Sequence, residues 1–256
     1  MGRWVIVWFL CYIGNCFTQE RGQQIVTIAH TFLEVPYSAT TLAVTPEQLV
    51  KRTDSLDCMT FVELSLAHWY AQPVRDDQVL FEKTLDTILL KMRYYDGILT
   101  DYASRKHYFL AFAMDNPLLE DVTPTIPNAS TLKKKINYMS THPQQYPLLA
   151  DATLQSQVQQ REAAINQKKW FFIPKEKLNN EQIQRHLKEG DIVGLTTNIE
   201  GLDVGHMGFL TQRAGEWHLL HASYTYKRVM VTEESLYEFL RNHKKFTGLI
   251  VLRLIP

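Results

Sequence analysis

The sequence is poor in cysteine, balanced in charge and without a long apolar run. Three cysteines in 256 residues cannot build a disulfide framework. Lys and Arg total 27 and Asp and Glu total 27, so the net charge of 0 excludes a chain-wide basic surface for nucleic acid or anionic lipid. The sequence contains no internal repeat and no low-complexity tract. Hydrophobic residues at 45% and charged residues at 21% are ordinary for a globular protein with a sizeable core.

The N-terminus carries the most conspicuous apolar stretch. Arg3 precedes the uncharged run Trp4–Ile13, which is shorter than the roughly 20 residues that a bilayer-spanning helix needs. A basic residue, a short apolar stretch and the small residues Gly14 and Cys16 are typical of a secretory signal peptide. We therefore predict a signal peptide over residues 1–18, with a buried N-terminal strand or helix as the alternative. The residues before Cys16 resemble a bacterial lipobox, which makes lipoprotein anchoring there a second and less favoured alternative.

Removal of that segment would leave Cys58 as the one cysteine of the mature chain. Asp57 before it is a good helix N-cap, and an apolar helical pattern follows as far as Tyr70. Cys58 is therefore predicted in the first turn of a helix, where the helix dipole and free N–H groups lower the pKa of a thiol. The alternative is a buried, inert cysteine that acts as a small hydrophobic residue.

Residues 96–175 separate this helix from the C-terminal third and contain most of the prolines. Three helical patterns lie near residues 104–114, 130–140 and 151–166. We predict a largely helical insertion that shapes a cleft within one domain over residues 19–256. Its Lys133–Lys135 run is interpreted as a solvated helix face.

The last third of the chain is rich in short segments of strand pattern bounded by turns. These segments are 190–197, 204–212, 216–223, 228–231 and 248–254, with a helix predicted at about 233–243. Helices first and neighbouring strands last predict an α+β fold with an antiparallel sheet.

His206 and His221 lie on consecutive predicted strands. A two-residue turn at Ala214–Gly215 would make these histidines diagonal neighbours on one face of the sheet. Gly208 has no side chain to crowd the space between them. The opposite face carries apolar residues that suit a core, namely Met207, Phe209, Leu220 and Ala222.

A thiol at a helix start and two histidines on one sheet face can act as nucleophile, base and orienting residue. Cys58 is far from His206 in sequence, so only the tertiary fold could bring the two together. A zinc site is the rival use of these residues, but neither H-E-x-x-H nor C-x-x-C is present to anchor it. We predict that the protein needs no metal and no organic cofactor.

Three short motifs resemble those of the NlpC/P60 cysteine peptidases. They are Asp57-Cys58 at a helix start, Gly205–Gly208 on one strand and His221-Ala222 on the next. Over about residues 30–254 the chain more closely resembles the branch formerly called the domain of unknown function 1460 family, described as N-acetylmuramoyl-L-alanine amidases. The signs of that branch are Leu56–Glu63, Ser104–Phe109 with Asp115-Asn116, His221–Ser223 and the terminal strand Gly248–Arg253.

The resemblance implies a papain-like core in which the Cys58 helix packs on the histidine-bearing antiparallel sheet. It also implies the composition of the site. The residues are Cys58 as nucleophile, His206 as base, His221 as the residue that orients the base, Tyr37 as an oxyanion donor, and Ser104, Arg105 and His107 as substrate-binding residues.

The implied substrate is peptidoglycan or its fragments, cleaved at the amide bond between N-acetylmuramic acid and L-alanine through an acyl-enzyme. Two alternatives stay open: an endopeptidase that cuts the γ-D-glutamyl–diamino acid bond, and a non-catalytic wall-binding protein. No nucleic-acid partner and no obligate protein partner are expected. A periplasmic location agrees with the predicted signal peptide.

Overall fold

The computed structural model of the protein describes residues 20–255, so the predicted signal peptide and Cys16 lie outside the described residues. The α-helices are α1 (residues 20–30), α2 (Cys58–Ala71), α3 (Gln78–Arg93), α4 (Phe109–Met114), α5 (Tyr138–Thr141), α6 (Ala152–Gln167), α7 (Glu181–Gln184) and α8 (Leu236–Asn242). The strands are β1 (Leu119–Asp121), β2 (Ser130–Thr131), β3 (Phe171–Pro174), β4 (Ile192–Thr197), β5 (Val204–Arg213), β6 (Glu216–Ser223), β7 (Arg228–Val231) and β8 (Phe246–Leu254). Within residues 20–255, none of the helices has the length and apolar character that crossing a membrane requires.

The strands form one antiparallel sheet in the order β2-β3-β8-β4-β5-β6-β7, and β1 also pairs with β8. The α+β prediction with an antiparallel sheet is therefore confirmed. Each segment predicted as a strand in the last third of the chain is a strand, and the helix predicted between the final two is α8. These elements were predictable because each is short, apolar and bounded by its own turn.

The turn between β5 and β6 sets the register on which the site depends. Arg213 pairs with Glu216, and Ala214 and Gly215 between them have φ of 49° and 85°. Positive φ at both central residues is the mark of a two-residue hairpin turn whose twist matches that of the strands. The predicted two-residue hairpin turn is confirmed, and its register also pairs Phe209 with Leu220.

The sheet separates two apolar cores. On one face, side chains of β5 and β6 pack against α2, and this core includes Phe61, Leu64, Met207, Phe209, Leu220 and Ala222. The other face packs against α7 and α8, with a core that includes Ile183, Leu210, Leu219 and Leu240. Burial on both faces fixes β5 and β6 from two sides, so their side chains have little freedom to move.

Helix α2 begins at Cys58 because the residues around it form a capping box. The Thr60 N–H donates to Asp57 Oδ1 at 2.8 Å, and the Asp57 N–H donates to Thr60 Oγ1 at 2.9 Å. Each bond satisfies a backbone group that a helix start otherwise leaves without a partner. The buried ion pair between Arg93 and Glu63, at 2.8 Å, ties α2 to the end of α3. The predicted helix start is confirmed.

Residues 96–175 contribute strands as well as helices. β1 and β3 both pair with β8, so this segment extends the sheet. The helix predicted over 130–140 is wrong, because Ser130–Thr131 pairs with Phe171–Phe172 and helix is confined to α5. Sheet pairing with a distant segment outweighed the local helical pattern there. That residues 96–175 are an insertion into a smaller domain remains a prediction.

Lys134 is not part of a solvated helix face. Its ammonium group donates to the backbone carbonyls of Thr197, the last residue of β4, and of Ile199 and Leu202 in the connection between β4 and β5. Burial lowers the pKa of Lys134 from its ordinary value. The prediction for this residue was wrong because its partners are some 60 positions away in sequence.

Candidate active site

A cavity of about 270 Å³ opens at the start of α2 and the start of β5. It is lined by Tyr37, Ala39, Asp57, Cys58, Met59, His107, Phe109 and residues 202–207. The fold thus brings the predicted nucleophile, base and oxyanion donor to one cavity, although they are distant in sequence. His107, predicted to bind substrate, lines the same cavity.

Cys58 is a half-buried free thiol at the first position of α2. Burial raises its pKa to about 12, and the negative charge of Asp57 adds to the effect. The backbone N–H groups of Met207, Cys58 and Met59 act in the opposite direction but are outweighed. The prediction that the helix start lowers the pKa of this thiol was wrong, because desolvation exceeds the stabilisation by N–H groups. Cys58 is therefore a thiol at neutral pH.

His206 and His221 are joined by a hydrogen bond of 2.6 Å between Nε2 of His206 and Nδ1 of His221. Their rings meet nearly edge to face, with centroids 4.8 Å apart. A Cβ on Gly208 would come within 2.6 Å of the Leu220 carbonyl oxygen and 3.0 Å of the His221 Cβ, so only glycine fits between the strands here. The predicted placement of the two histidines on one face is confirmed.

Both histidines are neutral at neutral pH. Burial, followed by the neighbouring His221, Lys245 and His243, lowers the pKa of His206 well below its ordinary value. Burial also lowers the pKa of His221 to about 4. A neutral imidazole has one N–H donor and one acceptor nitrogen. If His206 donates from Nε2 to His221, its Nδ1 remains free to accept a proton.

Tyr37 is held beside the nucleophile by backbone pairing. It forms a parallel bridge with Leu56, and its N–H donates to the Lys227 carbonyl at 2.8 Å. Burial raises the pKa of Tyr37 to about 12, with smaller contributions from its neighbours Cys58 and Asp57. Tyr37 therefore keeps its phenolic proton and can donate a hydrogen bond within the cavity.

The protonation of the His107 ring is set by its contact with Tyr102. Its Nε2 lies 2.8 Å from the Tyr102 carbonyl oxygen, and its ring lies against the Tyr102 ring at 4.3 Å between centroids. A carbonyl can only accept, so the proton is on Nε2 and Nδ1 is an acceptor. Burial and the charge of Arg105 lower the pKa of His107 to about 3, which keeps the ring neutral.

Ser104 and Arg105 are not among the residues that line the cavity. Ser104 closes a capping box with Asp101, whose carbonyl accepts from the Ser104 hydroxyl at 2.6 Å. The Arg105 guanidinium forms an ion pair with Glu47 at 3.1 Å and donates to the Leu42 carbonyl at 3.3 Å. In this structure both side chains are engaged within the protein.

Asp203 was not singled out by the sequence and lines the cavity. Its carboxylate accepts from the Leu110 N–H at 2.8 Å and from the Val204 N–H at 2.7 Å, which joins the start of α4 to the start of β5. Burial raises the pKa of Asp203 to about 6. In the sequence, Asp203 stands out only as an acidic residue directly before the strand pattern of β5, three positions before His206.

Within residues 20–255, no three or more His, Cys, Asp or Glu side chains are arranged to hold a metal ion. The zinc-site alternative therefore finds no ligand set in this part of the chain.

Several solved structures are similar to this chain over most of its length. An N-acetylmuramoyl-L-alanine amidase from Bacteroides uniformis ATCC 8492 is 35% identical, with a TM-score of 0.83 over 93% of this chain and 100% of that one. A Bacteroides fragilis protein provisionally named a xylanase is 37% identical, with a TM-score of 0.79 over 89% of this chain and 99% of that one. A Legionella pneumophila protein assigned to the domain of unknown function 1460 family is 20% identical, with a TM-score of 0.68 over 92% and 89% of the two chains, and shares the fold.

No match was found among curated proteins. The model of the N-acetylmuramoyl-L-alanine amidase-like family, also termed AmiA-like, matches residues 27–249. That match includes Cys58, His206 and His221 and covers most of the chain. The protein therefore belongs to the N-acetylmuramoyl-L-alanine amidase-like family.

Proposed function

We propose that this protein is a cell-wall hydrolase that cleaves the amide bond between N-acetylmuramic acid and L-alanine, with Cys58 as the nucleophile. The observation that carries the proposal is that Cys58 and His206 line one cavity while Nδ1 of His221 lies 2.6 Å from Nε2 of His206. A nucleophile, a base and a residue that orients the base are the parts of a covalent acyl-transfer site. Family membership and the amidase from Bacteroides uniformis support the choice of substrate.

In the proposed first step, His206 takes the proton of Cys58 as the sulfur attacks the lactyl carbonyl carbon. Because the thiol has a raised pKa and the imidazole a lowered one, proton transfer accompanies the attack and does not precede it. His206 donates its Nε2–H to His221, which leaves Nδ1 as the base. The resulting oxyanion accepts from the Cys58 backbone N–H and from the Tyr37 hydroxyl.

The tetrahedral intermediate then collapses with loss of the peptide. The C–N bond breaks as protonated His206 gives its proton to the amine of L-alanine, and a thioester remains on Cys58. His206 takes a proton from water as the water oxygen attacks the thioester carbonyl carbon, and it returns that proton to the Cys58 sulfur as the C–S bond breaks. The products are N-acetylmuramic acid with a free lactyl carboxylate, and a peptide that begins with L-alanine. The cycle needs no redox partner.

The provisional xylanase name of one relative suggests instead a glycoside hydrolase, which uses two carboxyl groups. Asp57 and Asp203 do line the cavity, but each accepts backbone N–H groups at a helix start. Carboxylates engaged in this way serve the fold, so the thiol is the better supported nucleophile.

Digestion of a defined disaccharide-tetrapeptide followed by mass spectrometry tests the proposal. Release of the intact peptide with L-alanine at its N-terminus is the expected result. Cleavage after D-glutamate would identify the endopeptidase alternative, and binding without hydrolysis would identify a wall-binding protein. Loss of activity in a chelator, restored by zinc, would overturn the thiol mechanism.

We also propose that the protein acts in the periplasm. The support is the basic and apolar N-terminal pattern around Arg3 and Trp4–Ile13 together with a cell-wall substrate. Fractionation of cells that produce the full chain, with N-terminal sequencing of the mature protein, tests this location. Cleavage near residue 18 is expected, whereas a diacylglyceryl-modified Cys16 would identify the lipoprotein alternative.

A further inference from the structure

The connection between β6 and β7 carries two exposed tyrosines, of which Tyr224 contacts the cavity residue Tyr37. Tyr224 is 64% exposed and Tyr226 is 63% exposed, compared with 45% for Tyr70 at the far end of α2. A large aromatic ring left in water at the edge of a site is a common mark of a ligand-binding surface.

This connection is fixed in place. The Tyr226 N–H donates to the Ser223 hydroxyl at 3.2 Å, and the Lys227 carbonyl accepts the Tyr37 N–H at 2.8 Å. The first residue of β7, Arg228, forms a bridge with Pro36. The exposed rings are therefore presented by a backbone that is already ordered, which reduces the entropy lost when a ligand binds.

An aromatic surface runs from the cavity to Tyr224. The ring of Tyr224 meets that of Tyr37 at right angles, with centroids 5.6 Å apart, and Tyr37 lines the cavity. The ammonium group of Lys227 lies 3.6 Å from the centre of the Tyr224 ring and 5.7 Å from that of Tyr37. Tyr224 remains mostly exposed in spite of these contacts.

The proposed reaction indicates which half of the substrate lies against this surface. The leaving amine departs toward His206, which protonates it, whereas the acyl half stays bonded to Cys58. Tyr37 is paired with Leu56, two positions before Cys58, so the aromatic surface begins beside the sulfur to which the acyl half would be bonded. In an N-acetylmuramoyl substrate the acyl half carries a neutral pyranose ring with an apolar C–H face and polar edges. The Tyr224 ring is mostly exposed although the Lys227 ammonium lies over one of its faces, so it offers an apolar face to the pyranose ring and an ammonium donor to the polar edges.

We propose that Tyr224 stacks on the pyranose ring of the substrate and so sets the preference for a sugar-bearing acyl group. This inference rests on the proposed amidase function and adds to it the residue that recognises the glycan. Lys227 donates to the hydroxyl or acetamido oxygens at the ring edge.

Two substrates that differ only in the ring test this proposal. One is N-acetylmuramoyl-L-Ala-γ-D-Glu, and the other is the D-lactoyl-L-Ala-γ-D-Glu fragment without the sugar. The wild-type protein should show a higher kcat/KM for the first. Tyr224→Ala should lower kcat/KM for the muramoyl substrate about tenfold, mainly through KM, and leave the lactoyl substrate unchanged. Tyr224→Phe should stay within about twofold of wild type, since it keeps the ring.

Tyr70→Ala is the matched control, because it removes another exposed tyrosine that does not line the cavity. A binding measurement in the Cys58→Ala background, by calorimetry with the intact muramoyl substrate, should show the same tenfold loss when Tyr224→Ala is added. Circular dichroism confirms that each variant is folded.

The outcomes separate the two proposals. If the wild-type protein hydrolyses neither substrate, the proposed function fails. If it hydrolyses both and Tyr224→Ala keeps the preference for the ring, or slows both substrates equally, the stacking role is wrong. A loss that disappears when the stem carboxylates are amidated would mean that this surface binds the peptide, which also overturns the inference.

Discussion

Burial decides the protonation states of the residues at the centre of the site. The cavity desolvates Cys58 and His206 together, which raises the pKa of the thiol and lowers that of the imidazole. The same desolvation strengthens any hydrogen bond that forms in the transition state. Cys58 and His206 are therefore a neutral pair, and in the proposed mechanism charge develops only as the substrate carbonyl is attacked.

Replacement of the nucleophile should abolish hydrolysis without unfolding the protein. Cys58→Ala removes the sulfur but leaves a good helix former at the first position of α2, whose start is held by Asp57 and Thr60. We expect loss of activity by at least about 10³-fold and a change in unfolding free energy below about 1 kcal/mol. Turnover of a muropeptide measures the activity, and thermal melting measures the stability. Substantial residual turnover would exclude Cys58 as the nucleophile.

Replacement of the base should be more damaging than replacement of its partner. His206→Ala removes both the proton acceptor and the acid that the leaving amine needs, so activity should be lost. His221→Asn keeps one hydrogen-bonding group toward His206 and should lower kcat by about 10–100-fold with little change in KM. Steady-state kinetics compares them. Equal loss in both variants would mean that His221 does more than orient the base.

Arg105 is expected to support the fold. The Glu47 carboxylate and Arg105 guanidinium are both largely buried, so Arg105→Ala leaves a buried carboxylate without its partner. Breaking such a pair costs about 3 kcal/mol or more. We expect a lower melting temperature, an unchanged KM, and partial recovery in the Arg105→Ala/Glu47→Gln double variant. A higher KM with an unchanged melting temperature would instead support the substrate-binding role implied by the family resemblance.

At the scale of elements, the residue before β5 is held by groups from the 96–175 segment. Lys134 donates to the carbonyls of the last residue of β4 and of two residues in the β4–β5 connection, and Asp203 at the end of that connection accepts from the Leu110 N–H. His206 follows three positions later. The segment predicted to decorate the core therefore positions the strand that carries His206, the proposed base.

Loss of the Lys134 contacts should reduce catalysis. Lys134→Met keeps the aliphatic stem but removes the three hydrogen bonds, so the start of β5 should become less ordered and kcat should fall about tenfold. Lys133→Met and Lys135→Met are matched controls, since both lysines are exposed neighbours. The rate of amide hydrogen exchange at residues 198–206 should rise in Lys134→Met alone. It is measured together with kcat for all three variants. Equal behaviour of the three variants would contradict this positioning role.

At the scale of the whole molecule, the free energy of unfolding in acid depends on two buried groups, His221 and Asp203, whose protonation has opposite effects on it. His221 has a lowered pKa, so between about pH 6.5 and pH 4 the unfolded chain binds more protons at this position than the folded one. Its contribution therefore weakens the fold as the pH falls. Asp203 has a raised pKa of about 6, so its protonation favours the fold as the pH falls toward 4.

The two opposing contributions can be separated by substitution. As the pH falls from 6 to 4.5, the unfolding free energy of His221→Asn should rise relative to that of wild type by about 1.4 kcal/mol per pH unit. The unfolding free energy of Asp203→Asn should fall relative to that of wild type over the same interval. Urea unfolding at several pH values measures both. Parallel pH curves for wild type and the two variants would show that neither group titrates as its burial requires.

Local sequence information determined the parts of this protein that depend on local geometry. Asp57 before Cys58 predicted the helix start, because a cap is made within four residues. The two-residue spacing at Ala214–Gly215 predicted the histidine pair, because side chains alternate along a strand. The motifs built on these features predicted the family.

Only the tertiary structure decided the properties that depend on distant atoms. The pKa of Cys58, the partners of Lys134 and Arg105, and the presence of Asp203 in the cavity all arise from segments far away in the chain. Periodicity and capping are short-range signals, whereas desolvation sums over every group packed around an atom. The sequence by itself therefore placed the reactive residues on their elements, and the packing of those elements set their protonation and their partners.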